Sequence, residues 1–193
     1  MTPPTNLRTA LLLGDDHIEL EDVAIREITP NLAIGISRGR FPKGYPHIDP
    51  NEDAVFATIN GDTEILAVAD GHQGFDAARA AITAIANAKS PMNDEDLQSA
   101  VHRLAIAAIE AVAATIPNLP PPRDASRTAL TIAALRGGSM ATATLGDTAC
   151  FVVTKRRATR IGSPSSFLDP NTDPAAIRTH GLAPEQRLRR RRE

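Results

Sequence analysis

The chain has 193 residues, a length that folds as one compact domain and builds a core without disulfides or a structural metal. Its 21 basic and 23 acidic residues give a net charge of −2, and setting aside the five arginines and one glutamate of residues 187–193 leaves a body at −6. An acidic body argues against nucleic acid as the main partner, because phosphate binding needs Lys and Arg clustered on the folded face, and it suits a carboxylate cleft for divalent cations.

Residues 1–30 carry scattered apolar positions and prolines at 3, 4 and 30, and they are expected to form a loosely attached leader. No apolar run approaches the roughly 20 residues that span a bilayer, and Leu11-Leu12-Leu13 sits between polar residues without a basic n-region or a cleavage site. No membrane partner is expected, and the protein is read as cytoplasmic. After Asn31 the sequence Leu-Ala-Ile-Gly-Ile reads as a strand, and the breakers of residues 39–46 read as a loop. Two strands are predicted over 54–59 and 64–69, joined by Asn60-Gly61, a dipeptide suited to a hairpin turn. The second is apolar from Ile65 to Ala69, as in a strand buried on both faces, and is expected to stop at Asp70-Gly71.

Phe75, Ala78, Ile82 and Ile85 recur at helical spacing, which predicts a helix over 75–88 that Pro91 prevents from continuing. A second helix is predicted with Asn93 as N-cap, Asp94, Glu95 and Asp96 in its first turn, and Leu97, Val101, Leu104, Ala108 and Val112 on one face. Pro117 ends it, and residues 118–124, with three consecutive prolines, form a stiff connector. Strand-like runs follow at 128–135, 140–145 and 148–154, separated by Gly137-Gly138 and Gly146-Asp147. Cys150 lies in the last of these and reads as a small buried thiol in a reducing compartment. Strands and helices in separate blocks predict an α+β architecture. The folded domain is expected over 31–160, followed by a Pro-rich, Arg-rich, poorly ordered tail over 161–193. The arginines of that tail suit RNA, an acidic partner or a membrane surface, with a solvated end as the simpler reading.

The chemistry-bearing residues sit at strand ends. Asp53 is followed seventeen residues later by Asp70-Gly71-His72, and pairing through the Asn60-Gly61 turn brings Glu52, Asp53 and Asp70 to one end of a hairpin. Converging carboxylates repel unless a cation neutralises them, and hard oxygen donors suit Mg²⁺ or Mn²⁺. Gly71, without a Cβ, lets a backbone carbonyl approach an ion. Acids at strand ends are also ordinary solvated loop charges, and spacing alone leaves both readings open.

In order along the chain, Asn51-Glu52-Asp53, Val68-Ala69-Asp70-Gly71-His72-Gln73-Gly74, Ser126-Arg127-Thr128-Ala129-Leu130 and Ala143-Thr144-Leu145-Gly146-Asp147-Thr148 resemble the opening motifs of metal-dependent protein phosphatase 2C. The resemblance covers residues 31–160. It implies a layered α-β-β-α sandwich of antiparallel sheets flanked by helices, incomplete in this chain. The implied reaction is hydrolysis of phosphoserine or phosphothreonine in a phosphoprotein by a water held between two Mn²⁺ or Mg²⁺ ions. Carried over by position, Asp70 bridges the metals, the Gly71 carbonyl binds one, Glu52 binds through water and Asp53 orients metal-bound waters. His72 is the expected general acid toward the leaving alkoxide, and Asp147 matches a third, weaker metal site, with a plain turn aspartate as its alternative.

The sequence departs from the family in two places. The arginine that grips phosphate, five residues before Asp53, is Ile48 here, and Arg38 or Arg40 is offered as the substrate-binding replacement. The later Asp-Gly and Asp-Asn motifs are absent, and the late acids Asp169, Asp173, Glu185 and Glu193 lack their context. A binding or regulatory module without turnover is therefore the second expectation, with self-association through an exposed sheet edge as a further one.

Overall fold

The structure, a computed structural model, describes residues 7–41, 51–88, 95–162, 165 and 167–182. Its strands are β1 (Arg8–Leu13), β2 (Val23–Thr29), β3 (Leu32–Ser37), β4 (Ala54–Asn60), β5 (Thr63–His72), β6 (Arg127–Arg136), β7 (Ser139–Leu145), β8 (Cys150–Val153), β9 (Ala158–Ile161) and β10 (Arg178–Leu182). The helices are α1 (Asp76–Asn87) and α2 (Leu97–Thr115). A six-stranded antiparallel sheet in the order β1-β4-β5-β6-β7-β10 forms the centre, and β2-β3 and β8-β9 are separate two-stranded ribbons.

Side-chain alternation decides which layer covers each face of that sheet. Phe56, Ile65, Ala67, Ala69, Leu130, Ile132, Ala134, Ala143 and Leu145 point to one face and bury α1 and α2 against it. Ala77, Ala78 and Ala81 on α1 and Ala100, Ala105 and Ala108 on α2 keep this layer thin, since small residues at the contact shorten the distance between packed elements. On the other face Val55 and Ala57 meet Leu32, Ile34 and Ile36 of β3, whose intervening residues are exposed. The result is the expected mixed α+β fold with antiparallel sheets. Among the described residues the layers are helices, central sheet and ribbons, with no second helix layer.

Several expectations change. Within residues 1–30, Arg8–Leu13 is no loose leader but a strand of the central sheet, registered on β4 from Arg8↔Ile59 to Leu13↔Ala54. Its leucine run shows no alternation because Leu11 is 39% exposed on this edge strand while Leu12 is buried. The tail is also structured where described: β10 pairs with β7, and Leu168 exchanges both backbone hydrogen bonds with Thr128. Ladder bonds need no hydrophobic period, so composition does not reveal them. β5 continues through Asp70 and Gly71 to His72 instead of stopping before them. Cys150 is half-buried, because its ribbon is covered on one side only. Ile48, Asn93, Asp94, most of the 39–46 loop and residues 187–193 lie outside the described residues.

The stretch Leu97–Asn118, 22 residues, is long and apolar enough to cross a membrane by length and composition, contrary to the reading of the apolar runs. Here it is the core helix, with Leu104, Ala108 and Val112 packed into the main cluster. Its N-cap is Asp96, whose Oδ1 accepts from the amides of Gln98 (2.9 Å) and Ser99 (3.0 Å).

Hydrogen bonding from Ser99, side chain first and then backbone, lowers the Asp96 pKa below its ordinary carboxylate value. A depressed folded-state pKa stabilises above the unfolded value and loses that effect as pH falls through the folded one. Asp96→Ala should lower the melting temperature at neutral pH and Asp96→Asn should recover part of it. The gap between wild type and Asp96→Ala should close as the pH is taken into the acid range, read by thermal melts across a pH series.

Candidate functional site at the β4-β5-β6 end

At this end of the sheet the register runs Ala54↔Ala69 between β4 and β5, then Asp70↔Ala129, Gly71↔Thr128 and His72↔Arg127 between β5 and β6. Ala67 and Ala69 face the helices, so Asp70 and His72 face the opposite side, where their side chains are 48% and 37% exposed. Asp53 arrives beside them because the Gly14 amide bonds to the Asp53 carbonyl oxygen (2.8 Å) and the Gly71 amide donates to Asp53 Oδ1 (3.2 Å). Thr128 Oγ1 donates to the Asp70 carbonyl (2.9 Å), fixing the strand end from the other flank.

His72 Nδ1 lies 3.3 Å from the Asp70 carbonyl oxygen and 3.7 Å from Asp70 Oδ1. Oxygens of both kinds accept, so Nδ1 is assigned as the donor, and Nε2 is the ring nitrogen that Asp70 does not engage. The His72 ring also meets Phe167, with centroids 4.8 Å apart and planes tilted by 56°.

Gly71 is pressed onto the backbone of Glu52: a Cβ there would sit 2.1 Å from the Glu52 carbonyl oxygen. The three-carboxylate convergence does not form. Glu52 is fully buried and its Oε1 accepts from the Gly74 amide, because neighbouring residues of an extended segment point to opposite sides. Gln73 and Gly74 adopt φ of 60° and 119°, turning the chain sharply from β5 into α1. Ser126 Oγ donates to the Gly74 carbonyl (2.9 Å) and accepts from the Ala77 amide (3.0 Å), and Arg123 Nε donates to buried Asp76 (3.0 Å). Hydrogen bonding to Asp76, and then the charge of that carboxylate, raises the Arg123 pKa.

Of the other expected residues, Asp147 is exposed in the turn after β7, and its backbone carbonyl accepts from Arg160 (3.3 Å). Arg38 donates to the Ile18 carbonyl, tying the end of β3 to the turn before β2, and Arg40 is exposed. Asp169 accepts the Asn171 amide in a local turn (2.7 Å), and Asp173 caps a short turn through the Ala175 amide (2.8 Å). Sequence reasoning missed Asp15, which follows Gly14 and pairs with Arg79 of α1, and the pair Arg127 and Phe167 beside His72. Arg127 stood within a quoted motif, but the position of Phe167 is set by the backbone exchange between Leu168 and Thr128, which leaves no pattern in composition.

Among the described residues, no group of three His, Cys, Asp or Glu side chains is placed to hold a metal ion. The hard-oxygen pair Asp70 and Asp53, one carboxylate open and the other hydrogen-bonded through Gly71, fits a hydrated Mg²⁺ or Mn²⁺ that keeps several waters and takes one or two carboxylates. It does not fit a closed cage.

The sequence model of one family, Protein phosphatase 2C, matches residues 44–192. No curated protein matches the chain. Among solved structures, the catalytic domain of the serine/threonine protein phosphatase PstP in complex with two manganese ions is 18% identical, with a TM-score of 0.61 over 92% of this chain and 73% of that one. The Mycobacterium tuberculosis serine/threonine phosphatase PstP/Ppp is 18% identical, with a TM-score of 0.62 over 83% and 72%. A bacterial serine phosphatase variant is 15% identical, with a TM-score of 0.59 over 86% and 70%. At these identities the structures establish likeness of fold.

Gly71→Ala should destabilise the chain by about 3 kcal/mol, the upper range for overpacking, because a backbone carbonyl cannot swing aside as a side chain does. Urea denaturation measures it, and stability within about 0.5 kcal/mol of wild type would contradict the close approach.

Proposed function

We propose, since the chain belongs to the protein phosphatase 2C family, that it hydrolyses phosphoserine or phosphothreonine in phosphoproteins with the help of Mn²⁺ or Mg²⁺. The observation that carries this reading is the juxtaposition of Asp53, Asp70 and His72 on the open side of the β4-β5 end. Asp70 and Asp53 are the residues that would hold the ion, with the Gly71 carbonyl as a further oxygen donor. When bound, such an ion supplies Lewis acidity toward phosphoryl oxygens and lowers the pKa of water.

The rest is done by the chain itself. Glu52 works through the Gly74 amide, holding the turn that sets Gly71 and His72 in place. Asp53 binds the Gly71 amide and so fixes the direction of the strand end on which Asp70 stands. His72, oriented by its Nδ1 contact with the Asp70 carbonyl, acts as the imidazolium and gives its Nε2 proton to the serine or threonine oxygen as the P–O bond breaks, leaving the neutral ring with its hydrogen on Nδ1. The absence of a three-member ligand group among the described residues favours a second reading, a module that binds phosphoproteins without turnover.

Hydrolysis of p-nitrophenyl phosphate and of a phosphoserine peptide, each with and without Mn²⁺, separates the two. Turnover should require Mn²⁺ and fall by about 100-fold or more in Asp70→Asn. His72→Ala should lower peptide hydrolysis by about 100-fold, the usual size of a general-acid contribution, and leave the aryl ester much less affected, because nitrophenolate leaves without protonation. A folded protein that turns over neither substrate but binds the phosphopeptide supports the second reading.

A further inference from the structure

We infer that Arg127 receives the phosphate of the phosphoserine or phosphothreonine side chain and that Phe167 holds it ready; the inference rests on the proposed reaction for the place of the phosphate, at Asp70 and His72. The register pairs Arg127 with His72 directly across β5 and β6. Leu130, Ile132 and Ala134 point to the helices, so Arg127 lies on the same open face as Asp70 and His72.

Its guanidinium carries no ion pair among the described residues, unlike those of three arginines in the fold, one of which, Arg123, also lies over a ring, that of Phe75. Arg79, Arg103 and Arg123 form ion pairs with Asp15, Glu95 and Asp76. The Arg127 side chain forms no hydrogen bond or ion pair among the described residues, and its contact is the Phe167 ring, with the guanidinium carbon 5.5 Å from the centroid. A ring face attracts the cation while using none of its N–H donors. The planar fork therefore stays available for two phosphate oxygens, the geometry for which arginine is suited.

Phe167 touches both working groups, since the ring over which Arg127 lies is also 4.8 Å from the His72 ring. Its own place is set by Leu168, which donates its amide to the Thr128 carbonyl (2.7 Å) and accepts the Thr128 amide (2.9 Å). One aromatic ring thus fixes the proton donor and the anion receptor relative to each other. An approaching phosphate dianion meets repulsion from Asp53 and Asp70, and an adjacent guanidinium offsets it. Arg127 is exposed at the rim, so a peptide-borne phosphate reaches it without a change of fold.

The test uses the full chain with Mn²⁺ and a phosphoserine peptide, measuring turnover and, by titration calorimetry, binding of that peptide and of its unphosphorylated form. The variants are Arg127→Ala, Arg127→Gln, Arg127→Lys and, as a charge control in the β8-β9 turn, Arg156→Ala. Loss of a charge-assisted contact made equally in the ground and transition states should raise KM and the phosphopeptide Kd about tenfold or more, with kcat changed less than about threefold. Arg127→Lys should recover part of the loss, and Arg156→Ala should match wild type. Arg127→Gln, which keeps the stem on the ring, should show the same rise and decides the matter if Arg127→Ala does not fold. Unchanged KM and Kd in folded Arg127 variants, with or without a lower melting temperature, would overturn the inference and leave the phosphatase reading standing. Binding that prefers the phosphopeptide and depends on Arg127, in a chain without turnover, would support the inference and overturn hydrolysis. A wild type that neither binds nor hydrolyses the peptide would overturn both.

Discussion

At Gly71 the backbone of β5 runs against the carbonyl of Glu52 with no room for a Cβ, and the arrangement of the whole sheet end depends on this contact. It allows the Gly71 amide to bind Asp53 and the Glu52 side chain to pass beneath and reach the Gly74 amide. The same few residues thus set Asp53 and Asp70 on one side and anchor the start of α1 on the other. α1 has no side-chain cap of its own, and Glu52, Ser126 and the Asp76–Arg123 pair act in its place. Polar groups near a helix start need partners once water is excluded, so these long-range contacts couple the site to the helical layer.

A second constraint operates on the flank of β6. β7 is registered on β6 as far as Leu130↔Leu145, and Gly146, at φ 82° and packed on Ala129, turns the chain away. The lane beside Thr128 is then filled by Leu168, and Ser165 bonds Gly146 in both directions, its amide to the Gly146 carbonyl (2.8 Å) and its Oγ from the Gly146 amide (3.0 Å). Backbone groups at the edge of a buried strand have to be paired, and satisfying them brings Phe167 to His72 and Arg127. A segment that looks like a tail in composition is a wall of the site.

The electrostatic character follows from the same geometry. Acidic residues outnumber basic ones in the body, and among the described residues Asp53 and Asp70 stand at this end while Glu52 is withdrawn into the interior. An exposed carboxylate with a hydrogen-bonded neighbour suits a hydrated divalent cation, and the cationic rim at Arg127 complements it for phosphate esters.

The sequence by itself determined the hairpin of β4 and β5, both helices and the strands after them, because apolar periodicity and the Asn-Gly and Gly-Gly turns are local signals. It also determined the family and singled out Asp53, Asp70, Gly71 and His72 as candidates, since short motifs in a fixed order are readable without any knowledge of contacts. Tertiary structure alone decided that Arg8–Leu13 and Arg178–Leu182 belong to the central sheet, because edge strands are recruited by backbone pairing and not by side-chain pattern. It decided that Glu52 faces inward while Asp53 faces the site, a matter of side-chain alternation at a single position. It also decided that Phe167, ninety-five residues beyond His72, lies against its ring, since contacts between distant segments arise only when the chain closes on itself.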